Sequence, residues 1–211
     1  MAGCHEIEED LKTQEKQNVI LLMGNPNVGK SVFFSDMTGI HVVSSNYAGT
    51  TVSFTKGTLK LGGESYTLID VPGTYSLEAT SEAEAVAIDF LESNPKAVLC
   101  VLDSTNLERN IKFALELQKY NIPVVYALNM VDVAKRHGYE INAELLSKEL
   151  GAPVIPTIAV KGEGIDKLKE ALLNAVKQPK SSYEGIVSRS KSGENERDLW
   201  KRAADIAARV Q

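Results

Sequence analysis

Gly24, Asn25, Pro26, Asn27, Val28, Gly29, Lys30 and Ser31 follow one another in the pattern G-x-x-x-x-G-K-[ST], with Val32 next. Glycines at the two ends let a backbone wrap closely around phosphates, so that several N–H groups point at one anion. In such a loop the lysine reaches the β- and γ-phosphates and the serine hydroxyl binds Mg²⁺. Asp70-Val-Pro-Gly73 follows about forty residues later. A carboxylate there can hold Mg²⁺ through water, and Gly73 can offer its N–H to a γ-phosphate. Between the two lies a polar stretch, Ser44 to Thr51. A hydroxyl from Thr50 or Thr51 could complete the metal shell, and spacing alone leaves the two in competition. Asn129, Met130 and Asp132 give N-x-x-D. A carboxylate can accept both the N1–H and the exocyclic N–H of guanine, whereas adenine would leave it unpaired, at a cost that discriminates by about 10⁴–10⁵. Ile158, Ala159, Val160 and Lys161 follow the next short apolar run and form the candidate loop behind the base.

These groups need elements to position them. Asn18 to Met23, Ala97 to Leu102 and Pro123 to Leu128 are short unbroken apolar runs, the signature of strands buried on both faces. The spacing predicts helices over Ser31 to Thr38, Ser81 to Ser93, Asn106 to Tyr120, the stretch from Asn142 to Gly151, and Ile165 to Val176. Val52 to Leu61 and Ser65 to Asp70 read as two strands joined at Gly62-Gly63. The expectation is an α/β fold: a doubly wound, mostly parallel sheet with one antiparallel edge strand. A polar leader (1–17) precedes this domain (18–178). A Ser-rich linker (179–193) and a short C-terminal helical appendage (194–211) follow, with Leu199, Ala203, Ile206 and Val210 on one face of the helix.

The chain has 211 residues and a formal net charge of −5, from 23 Lys+Arg and 28 Asp+Glu. That balance argues against a general nucleic-acid binder, whose affinity comes from neutralising phosphates. Cys4 and Cys100 have neither metal spacing nor a disulfide pattern, and Cys4 with His5 is too small a set to define a metal site. A reducing compartment fits. No apolar run approaches the roughly 18 residues needed to cross a bilayer, and the acidic leader is not a signal peptide.

Together the motifs resemble the translation-factor-like G proteins, the class of Era and TrmE. Gly24 to Asn27, Asn46 to Val52, Asp70 to Leu77, Asn129 to Asp132 and Lys161 to Ile165 are more specifically similar to the cytosolic N-terminal domain of the prokaryotic ferrous iron transport protein B (FeoB) family. Met130 is part of that signal, since most free G proteins carry Lys there. The resemblance implies a P-loop GTPase fold, GTP/GDP and Mg²⁺ as ligands, and a slow GTPase regulating an Fe²⁺ transporter. It makes the chain the cytoplasmic-face part of a longer membrane protein, with the membrane region as partner, no nucleic acid, and a homo-oligomer allowed. It makes Thr51 the switch threonine, next to Gly49 and Thr50, with Gly73 the γ-phosphate contact and Asn129 and Asp132 the guanine contacts. Asn27 matches the asparagine of potassium-activated members, where carbonyls of the first switch loop, here around Ser45 to Tyr47, complete a K⁺ site. The rival reading is a free-standing Era/TrmE-like GTPase acting on RNA or the ribosome.

Two departures shape the expectations. Thr74 stands where Ras-like proteins place a water-orienting glutamine, so unassisted hydrolysis should be slow. Ile158 replaces the Ser usual before Ala159. Without a side-chain brace, the loop that presents the Ala159 N–H to guanine should hold nucleotide weakly and release GDP quickly.

Overall fold

In a computed structural model of the chain, which describes residues 18–39, 42–178 and 195–211, three apolar strands occupy the middle of one sheet. β1 (Val19–Gly24), β5 (Ala97–Asp103) and β6 (Val124–Asn129) are buried almost throughout. Strands covered on both faces cannot alternate polar and apolar residues, which is why these read as unbroken runs. With β2 (Val42–Asn46), β3 (Ser53–Leu61), β4 (Glu64–Asp70) and β7 (Val154–Pro156) they form a seven-stranded sheet in the order β2-β3-β4-β1-β5-β6-β7. Every pairing from β4 to β7 is parallel. β3 pairs antiparallel with both β4 and β2, so it alone runs against the rest. The β3–β4 turn is Gly62-Gly63, both at positive φ (58° and 88°), as a tight hairpin requires.

The α/β expectation holds, with one strand added. Val42–Asn46, expected to lie in loop as far as its Ser44 to Asn46 part, is an edge strand in register with β3 from Val42↔Gly57 to Asn46↔Ser53. Its Val43, Ser44 and Asn46 are exposed. A polar edge strand lacks the alternation that marks a half-buried one, so pattern reading misses it.

Helices cover both faces. α1 (Lys30–Thr38) and α6 (Ile165–Lys177) bury Phe33, Phe34, Leu168 and Leu172 on one side. α2 (Glu82–Glu92), α3 (Leu107–Leu117), α5 (Ala143–Leu150) and α7 (Glu196–Val210) pack on the other. A six-residue helix, α4 (Val131–Arg136), follows β6. Each start has a local cause. Ser81 accepts from the Glu84 N–H, Asn142 from that of Leu145 and Asn195 from that of Asp198, the side-chain caps that satisfy first-turn donors. α7 docks its predicted stripe, Leu199, Ala203, Ile206 and Val210, into the same cluster as α3. The Asn142 N–H donates to the Val210 carbonyl (2.7 Å), and Arg209 Nη2 lies 3.1 Å from Glu149 Oε2. The 1–17 leader, with Cys4 and His5, and the 179–193 linker lie outside the described residues.

β1, β4, β5 and β6 have their carboxyl ends on one side of the sheet, staggered by about two residues, at Gly24, Asp70, Asp103 and Asn129. Ligands of open α/β sheets bind outside such carboxyl ends.

Candidate functional site

The chain leaves β1 at Gly24 with φ 145°, and a Cβ there would lie 2.5 Å from the Val101 carbonyl oxygen. Asn27 (φ 65°) and Gly29 (φ 95°) are also left-handed, so the loop curls before α1 begins. Gly29 caps α1 without a side-chain hydrogen bond, and the first turn has no acidic residue. No side chain competes there, so the leading N–H groups and the positive end of the helix dipole are available to an anion. Gly73 is drawn against this loop. A Cβ there would lie 3.0 Å from both the nitrogen and the Cα of Pro26, and 3.1 Å from Lys30 Nζ. The glycine of D-x-x-G thus shares one space with the phosphate loop and its lysine.

Lys30 Nζ lies 3.9 Å from Asp70 Oδ1. Burial pulls the Lys30 pKa down, with the nearby Asp70 charge opposing. Burial pushes the Asp70 carboxyl up, with Lys30 opposing. Both charges are held part-way out of water, where each interacts more strongly with an incoming opposite charge. Asp70 Oδ1 is buried without a hydrogen-bond donor. Ser31 is exposed in the first turn of α1. One carboxylate and one hydroxyl suit Mg²⁺, which prefers few protein ligands and takes the rest from water and phosphate. Among the described residues no cluster of three or more His, Cys, Asp or Glu forms a self-sufficient metal cage.

At the other end, Asn129 is 3% exposed. Its Nδ2 donates to the Val28 carbonyl (3.0 Å) and its Oδ1 accepts from the Ala159 N–H (3.1 Å). Ser104 Oγ donates to its backbone carbonyl. A buried amide must satisfy both ends, and this one does so by joining the phosphate loop to the 158–161 loop. The Ala159 N–H, expected to face the base, is engaged by Asn129 in this structure. Asn129 is a strut, with one amide hydrogen left over. Met130 adopts φ 62° as the cap of α4, in whose first turn Asp132 is half-buried. Asp132 Oδ2 lies 3.7 Å from Arg136 Nη2 and 3.9 Å from Lys161 Nζ.

The loop around Ile158 has a brace that does not depend on a side chain. The loop is braced by its backbone: the Ile158 N–H donates to the Glu163 carbonyl (3.1 Å), the Glu163 N–H returns to Ile158 (3.3 Å), and the Lys161 N–H also reaches Ile158 (2.9 Å). The Ile158 side chain finds apolar cover at 9% exposure, and Val160 stands out at 80%.

The segment 44–51 is not gathered at the phosphate loop. Thr50 Oγ1 folds back onto the Tyr47 carbonyl (3.2 Å), in a turn that includes Gly49 at φ 80°. Thr51 Oγ1 donates to Glu82 Oε2 (3.2 Å) at the start of α2. Tyr47 stacks edge-on against Phe90 (5.3 Å) and Phe54 (6.5 Å). Among the described residues no hydrogen bond ties this segment to residues 24–31. The carbonyls expected beside Asn27 belong to Ser45, Asn46 and Tyr47: the first two residues pair with Phe54 and Ser53 in the β2–β3 ladder, and the Tyr47 carbonyl accepts the Thr50 N–H (3.1 Å). Asn27 itself is exposed, while Asn25 and Thr74 are buried with side chains unpartnered.

Sequence reading missed Glu82 and the pair Lys112–Glu116. The second had a visible signal, since two charges at i,i+4 interrupt the apolar side of α3. Glu82 had none, because its partner lies 31 residues away.

Three comparisons accord with this geometry. Residues 18–172 match the sequence profile of the family described as "Ferrous iron transport protein B". The Fe(2+) transporter FeoB of Escherichia coli K12 is 40% identical over 162 residues, covering 74% of this chain and 21% of that protein. The chain therefore spans about a fifth of the length of such relatives. The FeoB G-domain from Methanococcus jannaschii is 39% identical, with a TM-score of 0.67 over 77% of this chain and 99% of that one. A GDP-bound mutant of S. thermophilus NFeoB is 30% identical, with a TM-score of 0.72 over 92% of this chain and 84% of that one. The fold is that of a P-loop GTPase.

Proposed function

The chain belongs to the ferrous iron transport protein B family, and on that premise we propose that it binds GTP, hydrolyses it to GDP and phosphate, and regulates an Fe²⁺-transporting membrane region of a longer chain. The observation that carries the reading is the Asn129 strut, 3.0 Å from the phosphate loop and 3.1 Å from the base loop. It sets a carboxylate for the base, Asp132, at a fixed distance from a cradle for phosphates. GDP in the S. thermophilus relative supports the choice of nucleotide. Among the described residues no helix is long and apolar enough to cross a membrane. The domain acts at the cytoplasmic face.

The chemistry follows from the site. The uncapped N–H groups of α1 and the half-buried Lys30 bind the β- and γ-phosphates. Lys30 and the Gly73 N–H stabilise charge as it develops on the γ-phosphoryl group, the main task in phosphoryl transfer. Ser31 and Asp70 would hold Mg²⁺, which when bound would supply further positive charge beside the phosphates. Thr51 joins them by leaving Glu82, so the first switch has a defined resting partner. Asn27 would be the side-chain ligand for K⁺, which would add positive charge beside the phosphates, and carbonyls around Ser45 to Tyr47 would complete the site once that segment moves from its place against β3. Thr74 supplies no base and no glutamine stands beside Gly73 to orient water, so unassisted turnover is on the order of 10⁻³ to 10⁻² s⁻¹.

Equilibrium binding and phosphate release test this directly. GTP and GDP should bind, ATP should not, and Asp132→Asn should shift preference to xanthine nucleotides, because the new amide can donate to the 2-oxo group. ATP binding as tightly as GTP would sink the reading. In the full-length protein in vesicles, Fe²⁺ uptake by Asp132→Asn should respond to xanthine nucleotides rather than to GTP.

A further inference from the structure

Buried polar side chains nearly always find a hydrogen-bond partner, and those that do not call for an explanation. Among the described residues six buried side-chain atoms have none, and four of the six belong to Asn25, Asp70 and Thr74. Asp70 Oδ1 stands 3.9 Å from Lys30 Nζ and belongs with the metal ligands. Asn25 and Thr74 have no such role. They are 2% and 4% exposed, so bulk water does not serve them. Both Oδ1 and Nδ2 of Asn25 are unpartnered, and so is Thr74 Oγ1. The two residues flank one contact. A Cβ on Gly73 would lie 3.0 Å from the nitrogen and the Cα of Pro26, so the peptide that links Asn25 to Pro26 lies against the residue before Thr74. The same Cβ would lie 3.1 Å from Lys30 Nζ. Movement of Gly73 toward a phosphate held by Lys30 therefore carries Thr74 along the phosphate loop. An amide has two donors and an acceptor, and a hydroxyl can donate and accept, so the two side chains can satisfy each other.

We propose that Asn25 is a positioning residue whose side chain pairs with Thr74 when Gly73 turns its N–H to a γ-phosphate. This deepens the reading of Gly73 as the γ-phosphate contact and rests on it. Buried groups left unpaired raise the free energy of one arrangement, and pairing them lowers that of the other. A ligand shifts such an equilibrium only by its differential affinity for the two arrangements. GTP draws Gly73 forward and GDP has no γ-phosphate to do so, so the gain attaches to GTP. Asn25 acts through Thr74 and Gly73 rather than on the nucleotide, and it holds the Gly73 N–H where charge develops on the γ-phosphoryl group.

Calorimetric affinities for a non-hydrolysable GTP analogue and for GDP, measured on the same samples, test the pair. Thr74→Val keeps the shape of the side chain and removes the hydroxyl, and it should lower the ratio of analogue affinity to GDP affinity about tenfold. Thr74→Ser keeps a hydroxyl and should leave the ratio within about twofold of wild type. Asn25→Ala should lower the ratio as Thr74→Val does, and the double variant should lower it no further. Thermal unfolding without nucleotide separates positioning from support of the fold. Thr74→Val removes a buried hydroxyl that has no partner to lose, so it should melt at or above the wild-type temperature while selectivity for the analogue falls. An unchanged ratio in Thr74→Val, additive losses in the double variant, or a lower melting temperature for Thr74→Val would overturn the pairing. If Asn25→Ala does not fold, Thr74→Val and Thr74→Ser still decide. A wild-type chain that binds neither nucleotide defeats the nucleotide reading, whereas one that binds both with a ratio unmoved by Thr74→Val defeats the pairing alone.

Discussion

Replacing Asn129 by Ala separates a strut from a simple base contact, because the two roles differ when no nucleotide is present. In the folded chain the Asn129 amide is buried and is bonded to the Val28 carbonyl (3.0 Å) and the Ala159 N–H (3.1 Å). Asn129→Ala would leave both groups without a partner in a site that water enters poorly. Each unsatisfied buried group costs about 1–3 kcal/mol, so the sum is about 2–6 kcal/mol before relaxation. Gly29 borders the strut closely, since a Cβ on it would lie 2.7 Å from Asn129 Nδ2. Partial collapse or a trapped water would bring the loss to about 2–4 kcal/mol, a large share of the roughly 5–15 kcal/mol that holds a domain together. At about 2–4 °C per kcal/mol for a domain of this size, the melting temperature should fall by roughly 5–15 °C. The assay is urea and thermal unfolding of nucleotide-free wild type and Asn129→Ala, followed by GDP titration under conditions where both are folded. Unchanged nucleotide-free stability, with only GDP affinity reduced, would refute the strut and return Asn129 to the role of a base contact.

The backbone bridge between Ile158 and Glu163 implies that Ile158→Ser does not slow release of a fluorescent GDP analogue in stopped flow. It should instead lower stability by about 1–2 kcal/mol through lost apolar burial, and slower release would restore the idea of an unbraced loop. Gly29→Ala places a Cβ against Asn129 Nδ2 at φ 95°, so it should destabilise the chain by about 1–3 kcal/mol and weaken GDP binding in calorimetry; a neutral result would mean that the loop shifts freely. Single-turnover GTP hydrolysis should be faster in KCl than in NaCl at equal ionic strength, and Asn27→Ala should abolish the difference while GDP still binds. Equal wild-type rates in the two salts would remove the cation site.

Much of the fold was legible because it rests on local rules. The apolar runs read at Asn18 to Met23, Ala97 to Leu102 and Pro123 to Leu128 are the covered strands β1, β5 and β6. Gly62-Gly63 specifies a hairpin. Gly24, Gly29 and Lys30 mark a phosphate loop because the chemistry needs that backbone and that cation at one spacing. The spacing of Leu199, Ala203, Ile206 and Val210 marked one face of a helix, and the fold supplied what that face packs against. What tertiary structure decided were contacts between residues far apart in the chain. β2 is a strand because β3 offers it a ladder, not because Ser44 to Asn46 prefer to be extended. Asn129 becomes a strut only once Val28 and Ala159 meet across the sheet edge, and Thr51 rests on Glu82 because the β2–β3 turn lies beside α2. Ile158 is braced by a residue five positions on, through backbone groups that every residue carries and no residue type signals. Side-chain chemistry is written in the sequence. Which buried hydrogen bonds it must satisfy depends on what the fold places around it.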